Sequence, residues 1–136
     1  MNDYLTSPNL GLLGPFAVEP SKVDKPWGYE LIWAVTDEYV GKILFVRAGE
    51  SLSLQFHNLK DESWLVHSGR ARIEMAAPGE KLLQAEVIEA GAAFRIRPGI
   101  IHRVTGVDDT TIIEVSTPHL DDVVRLEDRY GRTPQS

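Results

Sequence analysis

Four residues carry the chemistry that this sequence can be expected to do. Gln55, His57 and Glu62 lie within GESLSLQFHNLKDESWLVHSG, residues 49 to 69, and His102 lies far along the chain. On a strand, residues two apart project to the same face, so Gln55 and His57 point into one space. A short turn then brings Glu62 back beside them at the start of the next strand. His102 follows Pro98 and Gly99 on a late strand, where an antiparallel barrel would return it to the same interior. Imidazoles, a carboxylate and an amide oxygen form a mixed O/N set suited to a divalent first-row metal. Zinc is favoured, with manganese, iron, nickel or cobalt also compatible. One formal negative charge against a dication leaves net positive charge to polarise a ligand oxygen. Taken alone, Gln-x-His reads more readily as the solvent face of a half-buried sheet, so the surrounding elements decide its meaning.

Those elements read as strands. Tyr29 to Val35 and Tyr39 to Val46 are rich in aromatic and β-branched residues and are separated by a turn at Asp37 and Glu38. Ser51 to His57 alternates, with Leu52, Leu54 and Phe56 on one face and Ser53, Gln55 and His57 on the other. That apolar face must be covered, by a second sheet of the same chain, the N-terminal arm or a partner, and a homodimer is expected. Further strands are predicted at residues 64–66, 71–75, 86–88, 93–96, 101–105 and 110–116, with Gly- and Pro-containing turns between them. Many short strands at this spacing predict an all-β fold, an antiparallel barrel or jelly roll. Residues 1–22 hold Pro8, Gly11, Gly14, Pro15 and Pro20. They read as an N-terminal arm anchored by Leu12, Leu13 and Phe16, or as a disordered tail. DDVVRLEDRYGR, residues 121–132, reads as a short C-terminal helix with Asp121 near its N-cap, or as a tail. One domain over residues 23–132 follows, with 133–136 beyond it.

Composition excludes several alternatives. The 136 residues are 43% hydrophobic and 25% charged, the balance of a globular protein with one core. Fourteen Lys and Arg against 20 Asp and Glu give a net charge of -6, the wrong sign for tracking nucleic-acid phosphates. The absence of cysteine removes disulfides, thiolate metal sites and cysteine nucleophiles. No apolar run reaches the roughly 20 residues that a membrane span requires, and no signal peptide is recognisable. A cytoplasmic protein without membrane or nucleic-acid partners is expected.

The arrangement of motifs resembles the cupin family. Gly49, Gln55, His57, Glu62 and Gly69 stand at the places of its first motif, with Gln55 where a histidine is usual, and Gly91, Gly99 and His102 fit the second. Pro98 is shifted by one position, and Gly106 replaces an asparagine. Gln-x-His followed by Glu and a distant His is similar to the metal set of phosphomannose isomerases. KPWGYE (Lys25 to Glu30), SLQFHNLKDESW (Ser53 to Trp64) and IIEVSTPHLDDVVRLEDRYGR (Ile112 to Arg132) resemble stretches of the cupin part of the type II enzymes. Lys60, Ser63 and His67 depart from that pattern, and the nucleotidyltransferase activity of the bifunctional enzymes is not expected of these residues.

The resemblance implies a metal-dependent aldose–ketose isomerase acting on a sugar or sugar phosphate, with Gln55, His57, Glu62 and His102 as metal ligands. Arg125 matches the family's closing motif and is the first choice for substrate contact, Lys60 the second. Glu114 is the candidate base because it matches the family's Glu. Trp27 and Trp64 read as core aromatics, Arg72 and Arg103 as surface charges, and His67 and His119 as structural or exposed. Two other functions fit a stand-alone cupin: non-catalytic sugar binding or regulation, and metal-dependent oxygenation.

Overall fold

The computed structural model describes residues 11–77, 79–80 and 82–133. A 3₁₀ helix, Gly11–Phe16, leads into strands β1 (Ser21–Lys25), β2 (Gly28–Val35), β3 (Val40–Val46), β4 (Leu54–Phe56), β5 (Glu62–Ser68) and β6 (Arg70–Ala76). Strands β7 (Gln84–Glu89), β8 (Ala93–Ile96), β9 (Ile101–Gly106), β10 (Thr110–Ser116) and β11 (Val124–Glu127) follow. They form two antiparallel sheets, ordered β1-β2-β3-β10-β5-β8 and β11-β4-β9-β6-β7. This is the expected jelly roll, an open pair of sheets and not a closed barrel. No helix among the described residues is long and apolar enough to cross a membrane.

Alternation along the strands builds the interior. On β5, Glu62, Trp64 and Val66 are buried while Ser63, Leu65 and His67 are exposed. On β10, the buried side chains are Thr110, Ile112, Glu114 and Ser116. Register turns that alternation into layers. Ile112 lies between Leu44 of β3 and Val66 of β5, whereas Glu114 lies between Lys42 and Trp64, and Ser116 between Val40 and Glu62. One end of the sandwich is therefore an apolar core, with Leu44, Val46, Leu52, Val66, Ile73, Val104 and Ile112 packed together. Each such side chain contributes about 1.5–3 kcal/mol on burial. The other end is ionic, and it holds the expected site. The tight β5–β6 turn depends on Gly69, whose φ is +89° and where a Cβ would lie 2.1 Å from the Asp109 carbonyl oxygen.

Four expectations change. The strand predicted over Ser51 to His57 is regular only from Leu54 to Phe56. Because the chain is irregular before Leu54, alternation fails there and Leu52 joins the apolar core. Leu52 and Leu54 are both buried within this chain. The C-terminal segment is not a helix: Val124–Glu127 pairs with β4, Val124 opposite Phe56 and Arg125 opposite Gln55. Val124 and Leu126 alternate with Arg125 and Glu127, a period of two that extends the sheet. Finally, β1 begins at Ser21, inside the stretch expected as an arm, and pairs along β2. Phe16, expected as an anchor of that arm, is 80% exposed, while the side chains of Leu12 and Leu13 lie outside the described residues.

One residue fastens the C-terminal segment to the loop between His57 and Glu62. The Asp122 carboxylate accepts the backbone N–H groups of Asn58 (3.0 Å), Leu59 (2.6 Å) and Lys60 (2.8 Å). Partial desolvation pushes the Asp122 carboxyl up, but these three donors outweigh it and hold the pKa at about 2. A carboxyl depressed in the folded state stabilises the fold above its unfolded pKa and loses that contribution as pH falls through the folded value. Asp122→Ala should therefore lower stability at neutral pH by roughly 1–2 kcal/mol, the scale of a partly exposed charge-assisted hydrogen-bond set. Denaturant unfolding of both proteins from about pH 6 to about pH 2 measures this. The wild-type advantage should shrink between about pH 4 and about pH 2; an advantage independent of pH would contradict the assignment.

Candidate metal centre

His57, Glu62 and His102 are all buried, and their ligand atoms lie within 4.8 Å of one another. Each histidine has one ring nitrogen committed to a backbone carbonyl. His57 Nδ1 donates to the Asp122 carbonyl at 2.6 Å, and His102 Nδ1 donates to the Ile100 carbonyl at 2.9 Å. Nε2 is thereby the ring nitrogen that each could offer a metal, an arrangement that fixes tautomer and ring direction in histidine metal sites. His57 Nε2 lies 2.7 Å from Glu62 Oε2. The two rings are 5.2 Å apart between centroids. Gln55 stands directly opposite His102 in the β4–β9 register, so the two share a face. The turn that delivers His102 is tied to the first ligand strand, because the Gly99 N–H donates to the His57 carbonyl at 2.7 Å.

The electrostatics suit a cation. Burial pushes the Glu62 carboxyl up, but the His57 ring and the Lys60 charge outweigh it and hold the group well below its ordinary range. Burial lowers His102 to about 4, which keeps its imidazole neutral and available as a donor at neutral pH. The donor set, two imidazole nitrogens and a carboxylate with an amide nearby, fits a divalent first-row metal.

Behind Glu62 lies a second buried layer. Lys60 Nζ is 3.1 Å from Glu114 Oε2 and 3.8 Å from Glu62 Oε2. The Trp64 indole N–H is shared between Glu62 Oε1 at 2.6 Å and Glu114 Oε1 at 3.1 Å. Desolvation opposes the Lys60 charge, and the carboxylates of Glu114 and Glu62 more than restore it, raising its pKa. Burial and the Glu62 charge push the Glu114 carboxyl up, and Lys60 is the nearest cation opposing them.

A cavity of about 100 Å³ opens from the site and is lined by Lys25, Glu30, Lys42, Gln55, His57, Lys60, Asp122, Arg125 and Arg132 among others. Arg125 and Lys60 therefore both face the space next to the ligands. Glu114 does not line it and sits behind Lys60. Trp27 is 3% exposed and belongs to the apolar core, as does Trp64, whose N–H faces the carboxylates. Arg103 pairs with Glu74 and Glu127 on the outer face, and Arg72 is half exposed near Glu74. His119 is half-buried and bonds Thr117 Oγ1 at 2.8 Å, while His67 is exposed. Two site residues escaped the sequence reading, Asp122 and the indole N–H of Trp64. The paired Asp121-Asp122 before an alternating stretch was the available signal for the first. For the second, the signal was a tryptophan two residues beyond a ligand carboxylate on the same strand face.

The chain is 36% identical over 118 residues to the xanthan biosynthesis protein XanB of Xanthomonas campestris pv. campestris, covering 82% of this chain and 24% of that protein. It is 37% identical over 115 residues to the mannose-1-phosphate guanylyltransferase ManC of Salmonella typhimurium, covering 82% of this chain and 23% of that one. The chain thus spans about a quarter of the length of the curated relatives it matches. The oxalate decarboxylase of Bacillus subtilis, a protein with Mn(II) centres, shares the fold with a TM-score of 0.66 at 17% identity, over 77% of this chain and 29% of that one. The family described as mannose-6-phosphate isomerase C-terminal matches residues 17–128, and the chain belongs to that family.

Proposed function

We propose that this chain is a metal-dependent aldose–ketose isomerase for a sugar or sugar phosphate, of the mannose-6-phosphate isomerase type. The observation that carries the reading is the convergence of His57, Glu62 and His102 beside a cavity with cationic walls, which His57 and Gln55 line. Gln55, opposite His102, completes the ligand set. A divalent metal held there, zinc favoured, would supply Lewis-acid stabilisation of the charge that develops on adjacent oxygens as a proton moves between carbons. In a chain of net charge -6, Lys25, Lys42, Lys60, Arg125 and Arg132 all line this one cavity. That local excess of cations suits an anionic substrate. Lys42 engages Glu30 at 3.3 Å and Arg132 engages Asp128, which leaves Arg125 as the guanidinium best placed to grip a phosphate. The names of the relatives, a xanthan biosynthesis protein and a mannose-1-phosphate guanylyltransferase, favour a hexose phosphate.

One observation favours a second reading, sugar binding without turnover. Among the described residues, the carboxylates lining the cavity are already engaged, Glu30 by Lys42 and Asp122 by backbone N–H groups. Glu114 reaches the cavity only by way of Lys60. A base must lie within hydrogen-bond reach of the carbon-bound proton.

Loss of the C2 proton in D₂O, followed by NMR across hexose and pentose phosphates with metal-loaded protein, separates the two readings. Exchange with at least one substrate is expected, and Glu62→Ala should reduce it by about 10²-fold or more with unchanged circular dichroism. Saturable binding without exchange across the panel would replace isomerase by binding module. Arg125→Ala should raise KM for a phosphorylated substrate by about 10–100-fold, the scale of a lost charge-assisted hydrogen bond, with kcat little changed. The corresponding unphosphorylated sugar should show no such effect; equal effects on both would remove Arg125 from phosphate binding.

A further inference from the structure

We propose that Lys60, Glu114 and Trp64 act together as a brace that makes Glu62 a one-oxygen metal ligand. The inference rests on the reading of His57, Glu62 and His102 as a metal centre and adds three positioning residues to it. The indole N–H is a donor only and carries a single hydrogen. It takes Glu62 Oε1 as its shorter contact, 2.6 Å, and Glu114 Oε1 as its longer one, 3.1 Å. With Oε1 committed, Glu62 presents Oε2, the oxygen that faces His57 Nε2.

The outer members hold the indole where it can do this. Glu114 anchors the far side of the N–H, and its own charge needs a cation inside the sandwich. Lys42 stands opposite Glu114 in the strand register, but its ammonium pairs with Glu30. Lys60 supplies the cation at 3.1 Å, and its backbone is held in turn by Asp122. Turning Glu62 to offer both oxygens would break the Trp64 bond and leave the indole N–H with the longer partner alone. A carboxylate that gives one oxygen occupies one coordination position. On a metal held this way, positions would stay open for a ligand that binds through two adjacent oxygens, as the carbonyl and hydroxyl of an open-chain sugar would.

Co(II)-loaded protein tests the brace, with the d–d absorption band reporting coordination and acetohydroxamate serving as a two-oxygen chelator. In Trp64→Phe and Lys60→Met, release of Oε1 should weaken the band as coordination number rises. It should also weaken acetohydroxamate binding by about 10–100-fold, the range for losing an outer-sphere partner. Lys60→Arg, which keeps the cation, should restore the wild-type band and chelator affinity. Ile96→Val, a mild loosening of the same core, should leave both unchanged. Lys60→Met carries the test alone if circular dichroism shows that Trp64→Phe does not fold. Wild-type spectra and chelator affinity in the folded variants would overturn the brace while leaving the metal centre standing. A wild-type protein that takes up no Co(II) would overturn the metal reading and the brace with it.

Discussion

The structure turns on a carboxylate taken out of water. Glu62 is 2% exposed inside a β-sandwich, and an ion in such a place costs several kcal/mol unless its charge is answered. Three groups answer that charge, His57 at Oε2, the Trp64 N–H at Oε1 and the Lys60 ammonium, against the neighbouring Glu114 carboxylate. The same requirement explains why the ionic layer is confined to one end of the sandwich. Four residues from Glu62 along β5, Val66 stands opposite Ile112, which stands in turn opposite Leu44, and no charged side chain joins that layer. The apolar end supplies stability, and the ionic end spends some of it to hold a site in one geometry.

Such a site needs rigid support from both sides, and the C-terminal segment gives it. Asp122 holds the His57 ring with its carbonyl and three successive loop N–H groups with its carboxylate. A residue 60 and more positions away thereby sets both the direction of one ligand and the shape of the loop leading to another. β11 continues the same function by pairing with β4, which brings Arg125 opposite Gln55 at the cavity wall.

Much of this was legible in the sequence, for local reasons. The period of two along a strand and the length of one turn are enough to bring Gln55, His57 and Glu62 together. The Pro98-Gly99 turn marks where His102 re-enters, and flanking glycines frame both motifs. What stayed hidden depends on pairing between distant segments. The extent of β4 could not be read from alternation, because Leu52 keeps the period while the backbone leaves the ladder. Asp122 precedes a stretch whose apolar residues fit a helix or a strand, and only the edge of β4 decides between them. Trp64 reads as core from its type and is core. Its N–H bridges Glu62, two residues back on the same strand, and Glu114, which β10 places directly opposite, 50 residues away.

The central claim is that these four side chains hold a metal ion. Metal analysis of protein purified without added metal, followed by anomalous diffraction at the absorption edge of the metal found, tests it most directly. About one ion per chain is expected, with its anomalous peak among Gln55 Oε1, His57 Nε2, Glu62 Oε2 and His102 Nε2. Protein that carries no metal and takes up none on loading, or a peak elsewhere in the chain, would contradict it.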